Sequence, residues 1–322
     1  MTPSLTLVRV IVFISFLIVF SIVYLTTTKD IESRTQNVLT QQINYLENNY
    51  KVGMNRFEII SDSLYNTVIN ESKILKLLYK AKHFKDESKR AVVRETLYKK
   101  MKPHFERLKK LGVIITLFSF EENKTFLRVH KLGKFNDDLS KVRYSFTYVN
   151  SNKKSIRGFE QGKISHAFRN IYPLFYNGEF LGSVDIAFSS EVVQDNMIML
   201  HDTHTHFVLN KNIFKTNIWE RQKKVKYIQS IENEDFLFAI TKSHPANAFT
   251  DMEINLNKKL KEEIAENIKN NGSFALHDRG KIIAFLPIKN IKEKKTVAYL
   301  VSYKESVYLK NIFEEYLKVN II

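Results

Sequence analysis

Residues 128–188, RVHKLGKFNDDLSKVRYSFTYVNSNKKSIRGFEQGKISHAFRNIYPLFYNGEFLGSVDIAF, decide the fold of this 322-residue chain. Two strand-like runs, 165–176 and 180–188, flank the dipeptide Asn177-Gly178. Asn-Gly between apolar runs is a strong signal for a tight β-hairpin turn, because both residues tolerate positive φ. The stretch 128–188 also contains several ionisable residues, so we expect polar side chains to cluster on a sheet.

The chain before this stretch predicts two helices and another hairpin. Residues 31–82 contain no proline and carry apolar side chains at three- and four-residue spacing, which is typical of a long helix. A second helix is expected over 87–111. Residues 113–130 predict a hairpin about a polar turn, and 141–152 fit a helix, a strand or a mixture of the two.

The chain after residue 190 repeats this order of elements. Residues 171–191, IYPLFYNGEFLGSVDIAFSSE, match residues 284–306, AFLPIKNIKEKKTVAYLVSYKES, in sequence of features. Each is an apolar strand through a proline, a polar turn, an apolar strand and a Ser/Glu pair leading into a helix. A degenerate repeat of this kind indicates two stacked copies of one α+β module, and a coincidence of ordinary hairpins is the alternative. The further elements expected are helices over 190–200 and 252–270, strands over 207–209 and 296–303, and a hairpin over 273–288.

The N-terminal segment predicts a membrane helix. Residues 10–27, VIVFISFLIVFSIVYLTT, carry no charge, and with 5–8 they approach the roughly 20 residues that span a bilayer. Arg9 and Tyr24 suit the two interfaces. A cleaved signal peptide is the alternative, but the length of the run and the lack of a small-residue cleavage site favour an uncleaved helix. We expect a short N-terminus inside the cell and the rest of the chain outside.

Composition excludes several classes of function. The chain has 50 Lys and Arg against 34 Asp and Glu, but these charges are spread over its whole length without a nucleic-acid motif, so no nucleic-acid partner is expected. It has no cysteine, which excludes disulfides and thiolate metal sites. Glycine-rich phosphate loops, G-x-S-x-G and H-E-x-x-H are absent from the sequence, so we expect neither an enzyme nor a cofactor.

Ionisable residues of the opening stretch form the candidate site. Arg128 and His130 are two apart on a predicted strand and therefore share a face. Arginine presents a rigid fork of donors that suits carboxylate or phosphate, so several arginines on one sheet face would form an anion pocket. The alternative is an internal salt-bridge network, because charged groups are seldom buried unless paired. The candidate ligand-binding residues are Arg128, His130, Arg143, Glu160, Arg169, Tyr172 and Asp185, with Phe175 as a further wall.

A second candidate is the motif HDTHTH, which holds His201, His204 and His206. With Asp202 these side chains could bind a divalent metal. The spacing mixes a helix-like interval of three with a strand-like interval of two, so a single site is not forced. A solvated linker between modules is the favoured interpretation.

The motifs of the opening stretch resemble a known family of sensor domains, the third class of double Cache domains. The resemblance covers roughly residue 31 to the end and is sharpest over 128–188. Asp185 departs from it, since the family is expected to favour Glu there, and the amino-acid-binding Cache signature is not evident. The matching motifs are Arg128-Val-His130, Asp137-Asp138-Leu139, Arg143, Asn150, the GFEQG of 158–162, Arg169, Pro173 and the GSV of 182–184.

This resemblance implies an α+β fold of two tandem PAS-like (Cache) modules with antiparallel sheets behind a membrane helix and a long stalk helix. It implies the periplasmic sensor of a histidine kinase, chemoreceptor or diguanylate cyclase in the inner membrane. We expect a small, carboxylate-bearing ligand in the distal module and a homodimer paired through the stalk. A non-catalytic structural or assembly protein remains the alternative. The expected segments are a cytoplasmic N-terminus (1–8), the membrane helix (9–28), the stalk (29–82), the membrane-distal module (83–190), the membrane-proximal module (191–305) and a C-terminal helix towards a second crossing (306–322).

Overall fold

A computed structural model describes residues 5–162, 166–201, 203–214, 227–241, 256–278 and 280–321. Helix α1, Leu5–Leu64, has 60 residues and is on the order of 90 Å long. Its N-terminal part is apolar and exposed. Among the described residues, α1 with the turn that extends it is the one helix long and apolar enough to cross a membrane, by length and composition.

The predicted helix over 31–82 is divided in two. After α1 the chain forms a π-helical turn, Tyr65–Ile69, in which the Asn70 N–H donates to the Tyr65 carbonyl at 2.8 Å. Helix α2, Ser72–His83, then packs its apolar face on the core through Leu75 and Leu78. The apolar spacing continues through the break, so the sequence pattern alone does not reveal it.

The first module contains a five-stranded antiparallel sheet. Its strand order is β2-β1-β5-β4-β3. Asn177 and Gly178 both have positive φ, 49° and 81°, which confirms the predicted hairpin turn between β4 and β5. The elements are α3 (Glu87–Lys109), β1 (Val113–Phe120), β2 (Thr125–Arg128), α4 (Tyr144–Asn152), β3 (Ile156–Gln161), β4 (His166–Tyr176) and β5 (Glu179–Phe188).

The two faces of this sheet are covered differently. Rings of Phe57 in α1 and Phe188 in β5 stack at 4.2 Å between centroids, so the long helix closes one face. Helix α4 lies on the other face, where Phe146 and Val149 contact Leu117 of β1. Residues 141–152, which the pattern left open, are therefore mainly helical. Strand β3, which contains GFEQ, was not predicted.

The second module contains a six-stranded sheet of order β7-β8-β6-β11-β10-β9. Its helix α6 begins at Lys258 because the Asn257 side chain accepts the Leu260 N–H at 2.9 Å, and residues 252–255 of the predicted helix lie outside the described residues. The elements are α5 (Ser190–His201), β6 (His204–Asn210), a 3₁₀ turn (Lys211–Phe214), β7 (Tyr227–Gln229), β8 (Phe236–Ala239), α6 (Lys258–Lys269), β9 (Phe274–Asp278), β10 (Lys281–Lys289), β11 (Thr296–Glu305) and α7 (Val307–Ile321).

The two sheets share one topology. The order β1-β5-β4-β3 in the first recurs as β6-β11-β10-β9 in the second. The prolines correspond as well, since Pro173 pairs with Ser183 and Pro287 pairs with Tyr299. Pro173 lies beyond the segment of β4 that β3 pairs with, so its missing N–H costs no ladder bond there. The α+β fold with two antiparallel sheets is confirmed.

Both modules lie along α1. Near the apolar segment, Ile31 and Leu39 pack with Leu309 and Ile312 of α7. Further along the helix, Ser273 of the second module donates to Glu47 at 2.7 Å. The first module contacts α1 later still, through Tyr50 and Phe57 against Phe168. The first module is therefore farther from the apolar segment than the second.

The C-terminal helix α7 returns to the start of the chain. Arg34 of α1 donates to Glu315 at 3.2 Å, in addition to the apolar contacts of Ile312. Ile312 is buried in this contact, whereas Val307 at the start of the helix is exposed. The side chains of residues 316–321 lie outside the described part of the chain.

Candidate functional site

Four of the predicted residues meet in one buried cluster on the α4 side of the first sheet. In the register of the sheet, Asp185 stands between Leu117 of β1 and Ile171 of β4, and its side chain is fully buried. Arg143 Nη2 donates to Asp185 Oδ2 at 2.6 Å, and Arg169 Nη1 donates to the same oxygen at 2.7 Å. One carboxylate oxygen therefore joins two guanidinium groups.

Glu160 closes the network from strand β3. Its Oε2 accepts Arg143 Nε at 2.7 Å and lies 3.4 Å from Arg169 Nε. Ser145, at the start of α4, donates its backbone N–H to Glu160 Oε1 at 2.9 Å and its hydroxyl to Oε2 at 2.6 Å. The helix N-terminus thus holds the carboxylate that holds Arg143.

The two arginines are not equally satisfied. Burial opposes the charge of Arg143, but Asp185 and Glu160 outweigh it and raise the pKa of that guanidinium. Burial and the charge of Arg143 lower the pKa of Arg169. Among the described residues, neither Arg169 Nε nor Asp185 Oδ1 has a hydrogen-bond partner. The internal pairing of the cluster therefore leaves these two buried atoms without a hydrogen bond.

A cavity of about 510 Å³ adjoins this cluster. Arg143 and Arg169 line it, whereas their partners Glu160 and Asp185 do not. Among the described residues, the charged lining side chains are five positive, Arg128, Lys131, Lys134, Arg143 and Arg169, and two negative, Asp137 and Glu191. The cavity wall is therefore electropositive although the network behind it is balanced.

Arg128 and His130 stand on the same cavity wall. Both terminal nitrogens of Arg128 donate to Asp137, Nη1 to Oδ1 at 2.5 Å and Nη2 to Oδ2 at 2.7 Å. Nη1 also donates to the Lys134 carbonyl at 2.8 Å. Burial lowers the pKa of His130 to about 4; the nearby Thr116 backbone opposes this shift, and the charge of Arg128 adds to it. His130 is therefore neutral near pH 7, and its buried Nδ1 has no hydrogen-bond partner in the described part of the chain.

Two predicted wall residues lie elsewhere. Tyr172 faces α1 on the opposite side of the sheet, where its ring stacks on Tyr65 at 4.5 Å and its hydroxyl donates to Asp62 at 2.7 Å. Phe175 is 40% exposed and packs on Phe180. The structure therefore does not bring Tyr172 or Phe175 to the cluster. The two-residue period of β4 explains this for Tyr172, since it and Arg169 are an odd number of residues apart.

The histidine motif belongs to a different buried cluster. His206 Nε2 lies 3.0 Å from Glu232 Oε1, to which Tyr303 donates its hydroxyl at 2.7 Å. Burial alone would raise the pKa of Glu232, but His206, Ser230 and Tyr303 lower it to about 2. No group of three or more metal-ligating side chains comes together among the described residues. Asp202 and the side chain of His201 lie outside them.

Some site residues were not predicted from the sequence. His166, the first residue of β4, lines the cavity with its Nδ1 2.9 Å from the Tyr227 hydroxyl and its Nε2 2.6 Å from Ser190 Oγ. Because His166 and Arg169 are an odd number of residues apart, the strand period places them on opposite faces of β4. His166 reaches the cavity because it is the first residue of the strand, at the end of the sheet. Ser145, in the first turn of α4, carried no signal of its role in the sequence.

Comparison with solved structures finds domains of membrane receptors. The extracellular domain of a protein described as a histidine kinase, vpHK1S-Z8, matches with TM-score 0.44 and 15% identity over 88% of this chain and 95% of its own. The isoleucine-bound sensory domain of the Campylobacter jejuni chemoreceptor Tlp3 matches with TM-score 0.42 and 13% identity over 87% and 97%. The periplasmic domain of Vibrio cholerae LuxQ matches with TM-score 0.42 and 7% identity over 83% and 99%.

No protein-family model matches the chain, and no curated protein matches it.

Proposed function

We propose that this chain is the periplasmic sensor part of an inner-membrane receptor and that it binds a small carboxylate-bearing anion in the first module. The observation that carries the proposal is the guanidinium wall of the 510 Å³ cavity, in which Arg143 and Arg169 face the space while their carboxylate partners stand behind them. Because an internal carboxylate fixes the orientation of each guanidinium, its remaining N–H groups are pre-organised to bind the carboxylate of a ligand.

The remaining lining groups support an anion. His130 is neutral and offers a buried ring nitrogen without a hydrogen-bond partner in the described residues, and Arg169 keeps one unused N–H. A neutral ligand would leave the electropositive wall unmatched, and a cation would be repelled by it. The volume is sufficient for a small metabolite.

The arrangement of helices supports signalling across a membrane. The apolar start of α1 would anchor the chain, and α7 runs back to α1 through Arg34 and Glu315. A ligand that favours one arrangement of the modules would shift α7 against α1 by the small helix displacements that packed interfaces allow. Such a sensor would pair with a second copy and pass its signal to a kinase, chemotaxis or diguanylate cyclase output.

A structural or assembly protein is the second candidate, and one observation favours it. Each buried arginine already has a carboxylate partner inside the protein, so the network is complete in charge without any ligand. In that case the cavity would be an incidental space between packed elements, and no small molecule would bind with useful affinity.

Titration calorimetry on the full chain in lipid nanodiscs separates the two candidates. The probes are acetate, succinate, citrate and inorganic phosphate, with the zwitterions L-valine and GABA and the cation putrescine for comparison. The sensor predicts saturable binding of at least one carboxylate and none of putrescine. A chain that binds none of the anions would be assigned to the structural class.

A variant pair ties binding to the cavity. His130→Gln changes a cavity nitrogen, whereas His83→Gln makes the same substitution on an exposed side chain outside it. We expect the first to weaken binding of the active probe by about tenfold or more, because a buried hydrogen bond to a charged group is lost. The second should leave the affinity unchanged. Equal affinities in both variants would place the bound anion elsewhere.

A further inference from the structure

The cavity is lined by both modules. Arg128, His130, Arg143 and Arg169 line it from the first module. The described residues of the second module that line it are Tyr227 of β7, Ala239 at the end of β8, and the two following residues, Ile240 and Thr241. Ser189 to Glu191, where the chain passes from one module to the other, also line it.

The modules are joined next to this space by a polar bridge. His166 of the first module uses both ring nitrogens, one towards the Tyr227 hydroxyl at 2.9 Å and one towards Ser190 Oγ at 2.6 Å. Its ring also packs against Phe207 of β6 at 6.2 Å between centroids. The three side chains of this bridge are buried. A change in the distance between the modules would therefore stretch or break these hydrogen bonds, because no solvent is present to replace them.

A second contact fixes the modules away from the cavity. The Ile291 N–H donates to the Phe159 carbonyl at 2.9 Å, and a Cβ added to Gly158 would lie 3.1 Å from Ile291. Phe168 and Phe207 meet edge to face at 5.9 Å. The interface is thus closely packed at one edge, while the other edge contains the cavity.

We propose that the anion bound by the first module is shared with the second module, which supplies the opposite wall of the same site through Tyr227, Ala239, Ile240 and Thr241. This inference rests on the proposed function, because it assigns a second wall to that ligand. A small carboxylate held on the guanidinium wall would contact the end of β8 and draw the two modules together. Binding of the ligand would then change the distance between the modules next to the His166–Tyr227 hydrogen bond.

A pair of opposite charges at one position tests the second wall. Ile240 lines the cavity from the second module and carries no charge of its own. We expect Ile240→Glu to weaken binding of the active carboxylate probe by at least tenfold, and Ile240→Lys to retain or strengthen it, because only the sign of the added charge differs. Affinities of the two variants that agree within twofold would overturn the shared site.

Distances between spin labels test the closing of the modules. The sequence has no cysteine, so two labels can be placed without background, at Lys141→Cys in the first module and Glu234→Cys in the second, both exposed positions outside the cavity. Saturation with the active carboxylate should shorten or narrow the distance distribution. The control pair Lys141→Cys and Lys154→Cys, within the first module, should not change.

The two proposals fail in different ways. If no anion binds the wild-type chain, the proposed function fails and the shared site fails with it. If an anion binds and His130→Gln weakens it, but the Ile240 variants agree and the label distances do not move, the sensor stands and the shared site is overturned. Charge-dependent affinity at Ile240 together with a changed distance supports both.

Discussion

The two modules have the same strand order but opposite chemistry on the same face. Aligned through Pro173 and Pro287, the register matches Arg169 with Ile283 and Asp185 with Val301. Ile283 and Val301 belong to an apolar cluster that α6 covers with Leu260 and Ile264. The first module has a charged cluster and a cavity at the positions where the second has a closed core.

The two sheet faces are expected to differ in how much they stabilise the fold. An apolar face buried under a helix is stabilised by every contact it makes. A charged face is tolerated only when each charge has a partner, and it stabilises less than an apolar core of equal volume. Under the proposed function, the second module would contribute stability and part of the cavity wall, and the first would contribute recognition.

The strongest test is to give the first module one residue of the second. Arg169→Ile leaves Asp185 and Glu160 with a single guanidinium between them, so we expect a loss of about 3–5 kcal/mol in the free energy of unfolding. Chemical denaturation followed by circular dichroism measures it. Arg157→Ile, on a half-exposed arginine of the other face, should cost below about 1 kcal/mol. Equal losses would mean that burial of the cluster has no special role.

Completing the exchange should recover stability but not binding. In Arg169→Ile with Asp185→Val, the Arg143–Glu160 pair remains and the second carboxylate, which would share Arg143 with Glu160, is gone. We expect at least about half of the lost stability to return, because a buried ion pair can often be replaced by apolar residues of similar volume. The carboxylate probe should no longer bind in calorimetry. A double variant no more stable than Arg169→Ile would contradict the equivalence of the two faces.

The buried cluster of the second module should affect stability and not binding. The pKa of Glu232 is about 2, below its ordinary value of 4.5, so its stabilisation is present above pH 4.5 and is lost as the pH falls through 2. Glu232→Gln should cost about 2–3 kcal/mol at pH 7, with the difference from wild type shrinking in acid. Denaturation at several pH values measures this. A changed affinity for the anion at pH 7 would show that this cluster belongs to the ligand site.

His130 should make the first module sensitive to acid at a higher pH. Its pKa in the folded protein is about 4 against an ordinary 6.5, so the unfolded chain takes up its proton first and stability falls between pH 6.5 and 4. We expect His130→Gln to remove about 2 kcal/mol of that pH-dependent loss. Comparing unfolding free energies at pH 7 and pH 4 checks it. Parallel pH profiles for wild type and variant would rule it out.

The smallest expected effect concerns the sign of the ligand charge. Glu191, at the start of α5, is an acidic side chain that lines the cavity. Glu191→Gln should strengthen carboxylate binding about twofold to fivefold at low salt, because a like charge near the anion is removed. Calorimetry at two salt concentrations measures the change. Weaker binding would mean that Glu191 contacts a positive group of the ligand.

Much of the fold could be predicted because its signals are local. Asn177-Gly178 requires positive φ, and the run over 113–120 becomes β1 with the predicted bounds. The π turn at Tyr65 could not be predicted because the apolar spacing of the surrounding helices continues through it. The edge strand β3 could not be predicted because no change in the apolar pattern marks it. The internal repeat also held a signal that the sequence analysis did not use. Arg169 and Asp185 align with apolar residues in the second copy, so charge at these two positions is not required by the shared fold.

The sequence by itself determined the apolar N-terminal helix, the two α+β modules and the charged residue types in 128–188, because periodicity, turn residues and composition act over short distances. The tertiary structure decided which of those charges meet. It paired Arg143 with Glu160 and Asp185 across three elements and turned Tyr172 to the opposite face. It also brought Tyr227 of the second module to the same cavity. Contacts between distant segments depend on sheet register and module stacking, which a one-dimensional pattern does not encode.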